Sequence, residues 1–226
     1  LYDAHLKLNA QMVSFHDYLM PIQYDTIISE HHCVRKKAGL FDISHMGRFE
    51  VSGDRALPFI QYIITNDVTK LTDKQVQYTP ICNEKGGILD DILVYKRHQK
   101  HFDLVVNCSN KEKDLVWLQK QAATYKPIEI RDLTDSISLI ALQGPLSLSV
   151  LEDTFNSKFD YLKRFSFDDF LWDGIRITIS RTGYTGEDGF EIFVDAIHVA
   201  KLWNLLLDKN KRGGLRPIGL GARDTL

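Results

Sequence analysis

Gly87-Ile88-Leu89-Asp90-Asp91-Ile92-Leu93-Val94-Tyr95 reads as a β-strand that carries two adjacent carboxylates. A period of two puts Ile88, Asp90, Ile92 and Val94 on one face and Leu89, Asp91, Leu93 and Tyr95 on the other. Both faces are otherwise apolar, the pattern of a strand covered on both sides. Aspartate is depleted in strands and an unpaired buried carboxylate is costly, so each needs a partner, a ligand or a water-filled cleft. Bonding to backbone amides or to arginine is the structural resolution. Positioning or deprotonating an amine is the functional one.

Working outward, Asn83-Glu84-Lys85-Gly86 is a hairpin signal that pairs this strand with residues 76–82. Residues 102–107 add a third strand, and Asn110 is placed to cap a helix over 111–125. Upstream, a short helix or turn is expected over 1–8 and a helix over 25–37 with Gly39 as its stop. A strand over 47–52 follows, then a helix over 56–64 with Pro58 near its start. Downstream, 137–143 is an apolar strand and Gly144-Pro145 opens a helix that runs to about 155. Residues 165–172 and 175–181 form a hairpin turning at Asp173-Gly174, before a strand over 189–194 and a helix over 196–207. Strands outnumber helices, hairpins link neighbouring strands, and no β-α-β alternation appears. The expected class is α+β: mainly antiparallel sheets with flanking helices, in two intertwined subdomains.

Composition narrows the function classes. The 226 residues carry 28 Lys+Arg against 30 Asp+Glu, a net charge of −2, with 44% hydrophobic residues. That balance leaves room for a sizeable core and gives no basic footprint for nucleic acid. Cys33, Cys82 and Cys108 are odd in number and widely spaced, which suggests neither a disulfide framework nor a thiolate metal site. No apolar run approaches the ~18 residues that span a bilayer.

A second candidate stretch runs from Ser180 to Phe193, with Gly183, Gly186 and Gly189 at every third position. No strand-then-helix context surrounds these glycines, so they read as a tight, backbone-close loop with Tyr184 at its tip rather than a phosphate cradle. Glu191 shares a strand face with Phe193. Two acceptor oxygens beside aromatic rings suit a flat heterocycle that presents an amino group and a ring N–H side by side. An edge strand with an outward glutamate is the plainer alternative. His31-His32-Cys33 and His45 have no metal-ligand or triad spacing and read as ordinary core and surface residues. Lys96, Lys111 and Lys113 belong to a dispersed, solvated basic face.

Six ordered motifs then add up to a resemblance. They are Phe41-Asp42-Ile43-Ser44-His45-Met46-Gly47, Thr65-Asn66-Asp67-Val68, Asn83 through Asp91, Ala141-Leu142-Gln143-Gly144-Pro145, Arg181 through Glu191, and Gly219-Leu220-Gly221-Ala222-Arg223-Asp224. Together they resemble the folate-binding T-protein family, the aminomethyltransferases of the glycine cleavage system, over essentially the whole chain. The resemblance implies the two-subdomain fold of that family, divided here as 1–50 with 135–226 and 51–134, with the family's C-terminal β-barrel domain absent from the chain. It implies transfer of a methylene group from aminomethyl-dihydrolipoyl on the H-protein to tetrahydrofolate, with release of ammonia and no metal. Asp91 matches the catalytic carboxylate; Glu191 matches the acid that grips the pterin. Arg223 matches a ligand-contacting arginine, and Met46, Tyr78, Tyr95, Asn107 and Tyr184 match positions lining the folate cavity. Partners implied are the lipoylated H-protein and tetrahydrofolate, in a bacterial cytoplasm or, alternatively, a mitochondrial matrix. Phe15-His16-Asp17-Tyr18 departs from the family's usual Phe-Ala-Gly-Trp-like run. The alternative from another class is a non-catalytic folate-binding module; its Lys-Gly-Cys-Tyr-type motif is replaced here by Arg181-Thr182-Gly183-Tyr184.

Overall fold

The computed structural model describes residues 1–210 and 213–226. From the N-terminus the elements are α1 (Tyr2–Lys7), β1 (Gln11–Phe15), β2 (Tyr18–Gln23), α2 (Ile27–Lys36), β3 (Ala38–Asp42), β4 (Gly47–Ser52) and α3 (Ala56–Ile63). They continue with β5 (Gln75–Cys82), β6 (Ile88–His98), β7 (His101–Val106), α4 (Lys111–Ala122), β8 (Glu129–Asp132) and β9 (Ile137–Gln143). The chain then runs through α5 (Ser147–Phe155), β10 (Phe167–Trp172), β11 (Ile175–Ser180), β12 (Gly189–Asp195), α6 (Val199–Asn210), β13 (Leu215–Ile218) and α7 (Leu220–Thr225). The class is α+β with mostly antiparallel sheets, and contacts group the chain into two units: Leu1–Ser44 with Ser138–Leu226, and His45–Ile137.

The first unit is built on a six-stranded sheet ordered β10-β11-β12-β9-β3-β13. One helix face explains its core. Val199, Leu202, Trp203, Leu206 and Leu207 of α6 recur at helical spacing and pack with Phe190, Ile192 and Val194 of β12. Because alternate residues of a strand face opposite ways, Glu191 and Phe193 lie on the side of β12 away from that core. The β10–β11 hairpin turns at Asp173-Gly174 with φ of 49° and 76°, a type I′ geometry that suits this dipeptide.

The second unit is a five-stranded sheet ordered β5-β6-β7-β4-β8. Phe59, Ile60 and Ile63 of α3 and Leu118 of α4 close over Ile92, Val94, Phe102, Leu104, Phe49 and Val51. That is one face of the sheet. Asp91, Leu93, Tyr95 and Arg97 lie on the other face, opposite Pro80, Tyr78, Val76 and, on β7, Val105 and Asp103.

Several expectations change. α2 ends at Lys36, so Gly39 is no helix stop; it lies inside β3, where a Cβ would stand 2.4 Å from Ile218 Cγ1. The β1–β2 hairpin, β3, β8, β13 and α7 have no counterpart in the sequence reading, and β13 runs parallel to β3. These strands are too short to show a period, and β3 is buried at every residue, so no alternation marks it. Lys96 is not on a solvated face: it is buried, with Nζ donating to the Leu71 carbonyl at 2.6 Å. No helix among the described residues is long and apolar enough to cross a membrane.

Candidate functional site

Strand β6 separates its two aspartates into different environments. Asp90 points to the helix-covered side and is 3% exposed, whereas Asp91 is exposed. Asp90 is resolved structurally, by amides. Its Oδ2 accepts the Asn107 backbone N–H at 2.9 Å, and its Oδ1 accepts Asn107 Nδ2 at 2.9 Å and Asn110 Nδ2 at 2.6 Å. Asn110 does sit at the N-cap position of α4, but its side chain makes no cap; it serves Asp90 instead.

Asp91 is held and left open to solvent. Tyr78 Oη donates to its Oδ2 at 2.8 Å, and Asn107 Nδ2 reaches its Oδ1 at 3.3 Å. The bond to Asp91 raises the Tyr78 hydroxyl above its ordinary pKa, because a phenol that donates to a carboxylate resists ionising beside it. Three of the sequence-picked residues, Asp91, Tyr78 and Asn107, are therefore in direct contact. Tyr95 is buried four residues along the same face of β6. Met46 occupies the turn before β4, half-buried, with its carbonyl bonded to Arg48 Nη1.

In the first unit, β12 is an interior strand and Glu191 is only 5% exposed, which excludes the outward edge glutamate. Thr182 Oγ1 donates to Glu191 Oε2. Tyr184 is not presented at a loop tip. Its ring packs edge-on to Phe41 at 5.6 Å with the Arg223 guanidinium 5.3 Å from its centroid. Its hydroxyl is buried with no hydrogen-bond partner among the described residues. Burial, then the Glu191 charge, drive the Tyr184 pKa well up, against the pull of Arg223. Glu191, Tyr184 and Arg223 thus form a second electrostatically coupled set. The arrangement offers a buried acceptor, an orphaned hydroxyl and a cation, the chemistry that receives a polar heterocycle.

The loop between β11 and β12 is shaped by a residue that the motifs contain but to which they assign no role. Gln143, the last residue of β9, is fully buried; its Nε2 donates to the Thr182 carbonyl at 3.2 Å and its Oε1 accepts Thr185 Oγ1 at 3.1 Å. A Cβ on Gly183 would stand 2.1 Å from Gln143 Oε1, and one on Gly189 2.3 Å from Nε2. Gly183 and Gly189 make room for this amide, whereas Gly186 has a φ of 79° that favours glycine. Arg181 grips Asp188 through two bonds of 3.0 and 2.6 Å, and Arg35 holds the Thr185 carbonyl at 2.7 Å. No local signal shows what Gln143 and Arg35 bond, since their partners lie 39 to 150 positions away.

Among the described residues, one group could geometrically surround a cation: Glu50, His101 and Asp103. His101 Nε2 stands 3.2 Å from Glu50 Oε2 and 3.4 Å from Asp103 Oδ1. Each carboxylate already bonds an arginine, Arg131 on Glu50 and Arg97 on Asp103. The two guanidiniums balance the two acids, so this is an ion-pair network rather than an under-neutralised ligand set.

The comparisons agree with these motifs. The GCVT N-terminal domain family matches residues 1–226. The chain is 47% identical over 227 residues to an aminomethyltransferase of Caldanaerobacter subterraneus subsp. tengcongensis, covering all of this chain and 60% of that protein. It is 46% identical to an aminomethyltransferase of Thermoanaerobacter pseudethanolicus, covering 61% of it. Among solved structures, glycine cleavage system aminomethyltransferase T from Bartonella henselae superposes with a TM-score of 0.90 at 34% identity, over all of this chain and 60% of that one. A heterotetrameric sarcosine oxidase from Corynebacterium sp. U-96 shares the fold at a TM-score of 0.60 and 14% identity, over 83% of this chain and 92% of that one. The chain spans about 60% of the length of the aminomethyltransferases it matches.

Proposed function

The chain belongs to the aminomethyltransferase family through its GCVT N-terminal domain, and from that membership we propose that it serves the glycine cleavage system as a tetrahydrofolate-dependent aminomethyltransferase. In this reading the carbon of an aminomethyl group, carried on the dihydrolipoyl arm of the H-protein, passes to tetrahydrofolate as a methylene and ammonia leaves. The observation that supports it best is the Asp91 carboxylate: exposed on a rigid strand, yet oriented by Tyr78 and Asn107.

Two donors leave Asp91 with further acceptor positions open to solvent. Those positions suit the N–H of an amine, which Asp91 would orient and whose proton it would accept and pass on. A strand holds a carboxylate more firmly than a loop, which is what alignment of reacting atoms needs. Glu191 would take the paired amino and ring N–H donors of a pterin, and the orphaned Tyr184 hydroxyl is the neighbouring group with bonding capacity to spare. Arg223, Met46, Tyr78, Tyr95 and Asn107 are assigned to folate contacts on the family resemblance.

The test is calorimetric titration of tetrahydrofolate, under nitrogen, into this chain and its Asp91→Asn variant. Turnover is assayed on this sequence fused to the part of the Caldanaerobacter relative that lies beyond the match, with lipoylated H-protein as donor. Asp91→Asn should bind folate within about threefold of the parent and lose at least about a hundredfold in turnover, the usual scale for a removed acid–base group. Turnover that survives the substitution would remove Asp91 from the chemistry, and absence of folate binding in both proteins would overturn the substrate.

A further inference from the structure

Behind Asp90 lies a third carboxyl group. Asp114, in the first turn of α4, is fully buried, and neither of its oxygens meets an N–H or hydroxyl donor among the described residues. Lys113 comes no nearer than 4.0 Å; its Nζ is bonded to the Leu89 carbonyl at 2.7 Å and to Asn110 Oδ1 at 2.9 Å. The hydrogen-bonding neighbour left to Asp114 is the Asp90 carboxyl. Two carboxylates cannot bond each other, so this contact is attractive only when one of them carries a proton. Asp90 already accepts three amide hydrogens and so acts as the acceptor, which leaves the proton to Asp114.

We infer that Asp114 holds a proton and donates it to Asp90, and that this carboxyl–carboxylate pair fixes the Asn107 amide against Asp91. With that bond, Asp90 has four donors for its four lone-pair sites and no slack left. Asn107 Nδ2 lies 2.9 Å from Asp90 Oδ1 and 3.0 Å from the Asp91 carbonyl, in reach of the Asp91 carboxylate. A fixed Asp90 therefore fixes the amide that orients Asp91. Asp114 and Asp90 are positioning residues, and the inference rests on Asp91 being the reacting carboxylate. Burial, then the bond to Asp90 and its charge, push the Asp114 carboxyl up to about 8. The charges acting on it are Asp90 from β6 and Lys113 from its own helix; α3, packed on the same helix, carries no charged side chain.

Carbon-13 NMR of the aspartate carboxyls in this chain tests the proton directly. One carboxyl should stay protonated at pH 6, titrate near pH 8 and vanish in Asp114→Asn. Asp114→Asn keeps an N–H donor toward Asp90, so the Asn107 side-chain amide resonances should match the parent at pH 7. In Asp114→Ala those amide protons should exchange with water at least tenfold faster. Aspartates all ionised at pH 6, or an Asn107 amide indifferent to Asp114→Ala, would overturn the inference. Turnover of the fused protein should fall at least fivefold between pH 7 and pH 9 with the parent sequence but not with Asp114→Asn; equal pH profiles would cut the pair's link to Asp91. If the parent binds no folate at all, the substrate reading fails, and the carboxyl titration still decides where the proton sits.

Discussion

Gly189→Ala is the sharpest test of how the β11–β12 loop is built. Its added Cβ would stand 2.3 Å from Gln143 Nε2, 2.4 Å from Cδ and 2.6 Å from Oε1. To regain an ordinary contact of 3.4 Å the amide must retreat by about 1 Å. It has nowhere to go, because Gln143 is fully buried and both ends of its amide are bonded, to the Thr182 carbonyl and to Thr185 Oγ1. Overpacking strain costs about 1–3 kcal/mol, and two weakened hydrogen bonds add about 1 kcal/mol each. Against that, alanine in a strand gains up to about 1 kcal/mol over glycine. The expected net loss is about 2–4 kcal/mol. The assay is urea unfolding followed by circular dichroism on Gly189→Ala, Gln143→Ala and the double variant. Removing the amide removes the clash, so in the Gln143→Ala background Gly189→Ala should be nearly neutral, a coupling of about 2 kcal/mol or more. A cost below about 0.5 kcal/mol, or the same cost in both backgrounds, would refute the close-approach argument.

Glu30 is fully buried and accepts three backbone N–H groups, from Tyr24 at 2.6 Å, Asp25 at 2.9 Å and Gly219 at 2.7 Å. Glu30→Gln must turn an NH2 toward at least one of them, so a loss of about 2–4 kcal/mol is expected in denaturant unfolding; a neutral result would contradict it. Asp114 sets a pH dependence: its folded pKa of about 8 lies above the unfolded value, so the folded chain binds the extra proton. Its contribution is complete below about pH 4 and lost as pH rises to about 8, at about 1.4 kcal/mol per unit and on the order of 5 kcal/mol in all. The stability of the parent relative to Asp114→Asn should fall across that window, and a flat difference would count against a raised carboxyl. Asp91→Asn should bring the Tyr78 pKa back toward that of an ordinary tyrosine, read by NMR of its ring carbons, because the accepting charge is gone. An unmoved Tyr78 would mean that the bond to Asp91 is not formed in solution.

Much of the fold was readable because its signals are local. The β5–β6 and β10–β11 hairpins announce themselves through Gly86 and Asp173-Gly174, and the apolar stripes of α3, α4 and α6 through their spacing. What escaped reading lacks such signals. β3 and β13 are short and non-alternating, and are joined to each other only in the sheet. Lys96 is a case of the opposite kind: its charge suggested solvent, but it sits on the core-side face of β6, where a carbonyl from a distant loop satisfies it. At the site, two adjacent aspartates in an apolar strand were recognisable as needing an explanation. Alternation alone could not say which of them is covered, since that depends on where α4 lands.

By itself, then, the amino-acid sequence determined the class, the β5–β6 and β10–β11 hairpins, the opposed directions of Asp90 and Asp91, and the motif series shared with aminomethyltransferases. All of these follow from spacings of two to four residues or from ordered short motifs. Tertiary structure decided the rest: that Asp90 is the buried acid and Asp91 the open one, that Asn110 serves Asp90 rather than its own helix, and that Asp114 completes the cluster. It also decided that Gly183 and Gly189 of the β11–β12 loop leave room for Gln143. The physical reason is common to these cases. A hydrogen bond or a close approach depends on which side chain arrives from elsewhere in the chain, and only the folded packing brings it there.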